Sequence, residues 1–91
     1  MYTVKSTAKF QRDLKRIEKR GYDIDTLKEV VRKLAAGESL DKKYRDHSLK
    51  GKYKGRRECH IAPDWLLLYE YSDRTLILLL LRTGTHSDLF E

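Results

Sequence analysis

The hydrophobic rhythm of the chain changes twice. Residues 2–6, Tyr-Thr-Val-Lys-Ser, alternate apolar and polar side chains and predict a short strand. Ser6 and Thr7 follow, and either hydroxyl suits a helix N-cap. Over residues 8–20 the period lengthens. Phe10, Leu14 and Ile17 fall at i, i+4 and i+7, one face of an amphipathic helix. Gly21 supplies the stop, with Lys19 and Arg20 in the last turn, where cations favour the negative end of the dipole. A second helix is predicted from Asp23 or Asp25 to about Ala36, with Thr26 and Glu29 at capping-box spacing. Its apolar face is Ile24, Leu27, Val30, Val31 and Leu34, and Gly37 ends it.

Residues 38–52 have little apolar periodicity and read as a surface loop leading into a strand. From Tyr53 the rhythm is that of β structure. Residues 53–61 predict one strand, broken by Pro63-Asp64; residues 65–71 predict a strong second, and residues 75–81 a third after the turn at Ser72-Asp73. The third is apolar on both faces, which suits an interior strand. Arg82 to His86 are expected to leave the sheet, and residues 87–90 to form a single terminal turn. The order β-α-α-β-β-β describes an α+β fold, a helical hairpin packed on one face of a twisted antiparallel sheet whose other face stays open.

With 91 residues, 40% hydrophobic and 37% charged, residues 1–91 are expected to form one domain around one core. The longest apolar run, residues 76–81, is six long, far below the roughly 20 that cross a bilayer, so no membrane span is expected. The first residues show no basic stretch followed by an apolar segment, and a lone Cys59 cannot form an internal disulfide. A cytoplasmic location is the expectation.

The net charge of +6 is concentrated in one place. Residues 41–57 carry eight basic side chains (Lys42, Lys43, Arg45, Lys50, Lys52, Lys54, Arg56, Arg57) against Asp41 and Asp46, while the other 74 residues carry twelve of each sign. A single basic segment on an otherwise balanced chain is the pattern of a phosphate-contacting surface.

Three histidines sit near predicted strand ends or in loops: His47 within the basic segment, His60 shortly before Asp64, and His86 after the last strand. Scaffolded loops and strand ends are where binding and catalytic groups collect. RNA cleavage without a metal needs a group to take the ribose 2′-OH proton, cations for the phosphate, and an acid for the departing 5′ oxygen. Histidine suits the first and last roles, since copies in different surroundings can act neutral and protonated near pH 7. Arginine suits the middle one, and Trp65 or Phe90 offers a ring for an unpaired base. Zinc ligation by His47, Cys59, His60, Asp64 and His86 lacks any Cys-x-x-Cys or His-x-x-x-His spacing, and Cys59 and His60 point to opposite faces of a strand. No metal and no cofactor are expected, and no glycine-rich phosphate loop is present.

Three spaced motifs now form a pattern: Asp46-His47-x-Leu49-x-Gly51, then Gly55-x-Arg57-Glu58-Cys59-His60-Ile61-x-Pro63-Asp64-Trp65-x-Leu67-x-Tyr69, and Leu81-Arg82-x-Gly84-Thr85-His86-x-x-Leu89-Phe90. The chain, including the helical hairpin ahead of them, resembles the YafQ branch of the RelE/ParE toxin superfamily. The resemblance implies a RelE-like fold and the toxin of a type II toxin-antitoxin pair, an endoribonuclease that cuts mRNA in the A site of the 70S ribosome without a metal. It implies catalytic roles for His47, His60, Asp64, Arg82 and His86: His86 as general acid, Asp64 with His60 on the base side, Arg82 on the scissile phosphate, and His47 orienting the substrate or assisting proton transfer. Trp65 and Phe90 would line the site. The basic segment would then use Lys50, Lys52, Lys54 and Arg56 to hold ribosomal RNA phosphates. The partner implied is a DinJ/RelB-like antitoxin with an acidic C-terminal segment. ParE-like members of the same superfamily act on DNA gyrase, and a plain RNA- or ribosome-binding module is the non-enzymatic alternative.

Overall fold

A computed structural model describes residues 1–51 and 55–90 of the chain. The first strand, β1 (Thr3–Ser6), gives way to a helix where a hydroxyl can satisfy an open N–H group. Thr7 takes that role: its Oγ1 accepts from the Phe10 N–H at 3.0 Å, and α1 runs Ala8–Lys19. Gly21 closes the helix by donating to the Glu18 carbonyl at 3.0 Å. Helix α2 (Ile24–Ala35) is capped by Asp23, whose carboxylate accepts from the Asp25 N–H at 3.1 Å. Thr26 and Glu29 form no capping box, because the helix is already under way there. Glu29 instead pairs with Arg32 one turn on, at 2.6 Å.

The stretch read as a loop contains two short elements. Asp41 caps a 3-10 turn over Lys42–Tyr44, and His47–Ser48 form a two-residue strand, β2. A pairing of two residues is too short to leave a hydrophobic period. Strands β3 (Arg57–Ala62), β4 (Trp65–Ser72) and β5 (Ile77–Gly84) form the expected antiparallel meander, and the sheet order is β1-β5-β4-β3-β2. Of the first meander strand expected from residue 53, residues 53 and 54 lie outside the described residues and residues 55 and 56 precede the strand. β1 joins parallel to β5, so the sheet is mixed at that edge.

Arg82, Thr83 and Gly84 do not leave the sheet. They pair with Leu68, Leu67 and Leu66 after a bulge between Leu68 and Tyr69. Those three β4 residues need backbone partners as much as the rest of the strand does, and β5 continues to supply them. It ends at α3 (His86–Phe90).

Strand alternation sends Cys59, Ile61, Trp65, Leu67, Tyr69, Leu78 and Leu80 into one core with Phe10 and Ile17 of α1 and Leu27, Val30 and Leu34 of α2. Glu58, His60, Leu66 and Leu68 alternate onto the other face, which carries the site described next. No helix of the described residues is long and apolar enough to cross a membrane.

Candidate active site

Register places the candidate residues. His47 pairs with Glu58, Glu58 with Leu68, and Leu68 with Arg82, one row across four strands. His60, Leu66 and Gly84 form the row two residues along on the same face. Neighbouring strands are about 4.8 Å apart, so Arg82 stands roughly two strand spacings from Glu58. His47, Glu58 and His60 meet at the β2–β3 side, and their donor atoms lie within 4.8 Å of one another. His60 Nε2 is 3.4 Å from Glu58 Oε1, and its Nδ1 is 3.4 Å from the Pro63 carbonyl in the turn that carries Asp64. Glu58 is 6% exposed. A carboxylate so little exposed persists beside groups that donate to it.

The second cluster comes from the end of β5. Gly84 turns the chain at φ 152°, where a Cβ would come within 2.8 Å of Asp88 Oδ2. Asp88 caps α3 by accepting the Thr85 N–H at 3.0 Å, and Arg20 of α1 grips both its oxygens at 2.6 and 3.0 Å. That guanidinium, together with the Thr85 N–H, holds the Asp88 carboxyl well below the usual carboxylate range. His86 opens the helix so secured. Asp64 reaches it across the sheet end, accepting the His86 N–H at 3.1 Å and lying 2.9 Å from Nδ1. Those two hydrogen bonds, the ring's first, keep the Asp64 carboxyl below its ordinary value. With Nδ1 engaged, Nε2 on the far side of the ring faces away from Asp64.

The two clusters adjoin: the His60 and His86 ring centroids are 6.0 Å apart, and Phe90, 42% exposed, is 6.2 Å from His86. Asp64 hydrogen-bonds His86, and the carboxylate beside His60 is Glu58, a residue within the motifs that was not singled out from sequence. Its strand position two residues before His60 was the available signal, since i and i+2 share a face.

Arg82 leans away from the row toward α1, bound to Asp13 at 2.7 and 3.0 Å. It lines a hollow of the same face with Arg56, Leu68, Leu81 and Leu89. Arg56 is 4.0 Å from Glu70, and Lys50 is exposed beyond β2. Lys52 and Lys54 lie outside the described residues.

Trp65 departs from expectation. It is 5% exposed, packs edge-on against Tyr22 at 5.1 Å and donates Nε1–H to Thr83 Oγ1 at 2.9 Å, so it chiefly braces β4 against β5 from the core, with only its margin bordering a hollow beside Asp64. Cys59 is fully buried, and desolvation pushes its thiol far up in pKa, away from reactivity. The zinc candidates of the sequence therefore do not assemble as a set. Among the described residues, His47, Glu58 and His60 are instead the group with the donor types and span to hold a borderline divalent cation.

His47 owes its place to its neighbour. Asp46 accepts a short hydrogen bond from the Tyr69 hydroxyl and a bond at 3.3 Å from Arg57 Nε, which pins the basic segment onto β3 and β4.

Known proteins with this sequence pattern agree among themselves. The family profile described as "Bacterial toxin of type II toxin-antitoxin system, YafQ" matches residues 2–91. The mRNA interferase toxin YafQ of Escherichia coli strain K12 is 36% identical over 88 residues, covering 96% of this chain and 94% of its own. Among solved structures, a metal-bound toxin from Helicobacter pylori superposes with a TM-score of 0.94 at 46% identity, covering 99% of this chain and 100% of its own. The E. coli DinJ-YafQ complex gives 0.91 at 35% identity with both chains fully covered. The profile match and the full-length relatives place this chain in the YafQ family of bacterial type II toxin-antitoxin toxins.

Proposed function

We propose that the protein is an mRNA endoribonuclease, the toxin of its pair, which cleaves message in the ribosomal A site by metal-independent acid–base catalysis. The observation that carries the reading is the pair of imidazoles 6.0 Å apart, each beside its own carboxylate, His86 with Asp64 and His60 with Glu58. Rings so spaced can both reach one phosphodiester, within the roughly 2.6–3.2 Å that proton transfer requires.

On the base side, His60 backed by Glu58 takes the ribose 2′-OH proton. The 2′ oxygen attacks phosphorus, and the bond to the 5′ oxygen breaks. His86, its Nδ1 held by Asp64, protonates that leaving oxygen from Nε2, giving a 2′,3′-cyclic phosphate and a 5′-hydroxyl. Arg82 supplies fixed positive charge to the phosphate as it gains negative charge, His47 extends the base side, and Phe90 is the ring beside the reacting nucleotide. Asp64 then orients the acid, whereas the sequence had suggested it for the base side. Lys50 and Arg56, with Lys52 and Lys54, supply the cationic rim for ribosomal RNA. The partner is a DinJ/RelB-like antitoxin whose acidic segment covers this face.

The test maps message 5′ ends on translating ribosomes with the wild type and with His86→Ala. New ends within A-site codons, lost in the variant while ribosome binding persists, are expected. Intact message with the wild-type protein overturns the reading; inhibited gyrase in the same extract would move the chain to the ParE-like class.

A further inference from the structure

We infer that Asp13, on the opposite side of the sheet edge from the histidines, is the positioning residue for Arg82: it fixes where the guanidinium stands and ties that place to the helix bearing His86. This rests on the phosphate role proposed for Arg82.

Asp13 occupies the buried stripe of α1, three residues after Phe10 and four before Ile17, and is 1% exposed. A carboxylate there costs stability unless every oxygen is engaged. Its two oxygens receive Arg82 Nε at 2.7 Å and Nη2 at 3.0 Å, one each, in the fork geometry that holds a guanidinium plane. Oδ2 also accepts the Thr83 N–H at 3.2 Å, and Arg16 Nη1 is 3.5 Å from Oδ1.

The backbone explains why a helix residue takes this place. β1 ends at Ser6 opposite Leu80, which leaves the edge of β5 beyond it without a strand. α1 covers that edge. Thr7 Oγ1 donates to the Leu81 carbonyl at 2.7 Å, and Asp13 takes the Thr83 N–H. One carboxylate thus grips both the main chain of β5 and the side chain that leaves it one residue earlier. An apolar residue at position 13 would fill the stripe at less cost; what it would not do is restrain a long, rotatable side chain at the one point where the site needs fixed positive charge.

The restraint also continues to the other end of the site. Arg16 stands 3.8 Å from Asp88, and Arg20 binds Asp88 at 2.6 Å. Charges alternate along Arg82, Asp13, Arg16, Asp88 and Arg20, so one helix registers the phosphate-holding arginine against the helix that begins at His86.

The experiment measures cleavage on programmed ribosomes at saturating and limiting ribosome concentration for Asp13→Asn, Arg82→Lys and the double variant, with Tm recorded for each. Asp13→Asn keeps shape and removes the charge; Arg82→Lys keeps charge and cannot make the fork, and it serves as the readout if Asp13→Asn does not fold. Each is expected to lower kcat by about 10- to 100-fold, the scale of a misplaced reacting or charge-bearing group, with KM within about twofold, and the double variant to be no worse than the poorer single. Multiplying losses, a KM effect without a kcat effect, or full activity in Arg82→Lys overturns the inference. Arg82→Ala separates the two levels. If it is fully active the phosphate role of Arg82 itself fails; if it is inactive while Asp13→Asn is normal, only the positioning role fails.

Discussion

The two sides of the site are built to different standards. The His86 side rests on a helix cap, a bidentate Arg20–Asp88 pair that reaches back to α1, and two hydrogen bonds accepted by Asp64. The His47 side rests on a two-residue edge strand and on Asp46 beneath it. On the proposed function His86 is the leaving-group acid, which has to sit in one place when the bond breaks, so strong fixation would serve it. On the same reading the residues at the cationic edge would meet a large, irregular RNA, where a two-residue strand is constraint enough.

That contrast can be broken at its strongest point first. Asp64→Asn removes the charged partner of His86 and is expected to lower kcat by about 10²- to 10³-fold, within the range for general acid catalysis. His47→Ala on the other side is expected to cost roughly a tenth of that factor, and equal losses in single-turnover cleavage would abolish the distinction. Next comes Gly84→Ala, which sets a Cβ against Asp88 at 2.8 Å from a φ of 152°. It is expected to cost more than about 1 kcal/mol in denaturant melts and to lower kcat without raising KM. Asp46→Ala is a test of the weaker side. It leaves the Tyr69 hydroxyl without its acceptor and removes the carboxylate from Arg57, for about 1–3 kcal/mol, and should raise KM for ribosomes more than it lowers kcat.

The pH profile sharpens the comparison with a smaller effect. Asp88 and Asp64 are both held below their unfolded values, so their contribution is fully present above about pH 4 and is lost only as pH falls through the depressed folded values. Near-ultraviolet circular dichroism should therefore stay flat from pH 8 to about 5 while activity changes. A parallel loss of both signals would show that the α3 anchor, not proton transfer, sets the profile. Smallest is Lys50→Ala, expected to reduce the salt dependence of ribosome binding by about one ion released with kcat unchanged.

The helices and the meander were readable because long apolar periods report burial directly: Phe10, Ile17, Leu27, Val30 and Leu34 all point inward. What was not readable depended on partners distant in sequence. β2 is too short to have a period, and nothing local in Thr3–Ser6 says that it lies parallel to Ile77–Leu80. Trp65 reads as a candidate stacking ring because it is aromatic and stands within a motif, and among the uniformly apolar residues 65–69 only the sheet decides which alternate side chains face the helices. Glu58 and Asp13 were not singled out for one reason: nothing local settles that a charged side chain is buried until its cationic partner, sixty-nine residues away in the case of Arg82, is known. Both had a local signal, a strand spacing of two from His60 and a place on the Phe10–Ile17 stripe.

The parallel seam between β1 and β5 sets an order of events during synthesis. Ser6 meets Leu80, and Asp13 meets Arg82, only after residues 80 and 82 have been made. Contacts of such long range form late. A nascent copy therefore carries His47 and His60 before the Asp13–Arg82 fork exists, and the proposed phosphate-holding side chain is fixed by the same residues that complete the sheet.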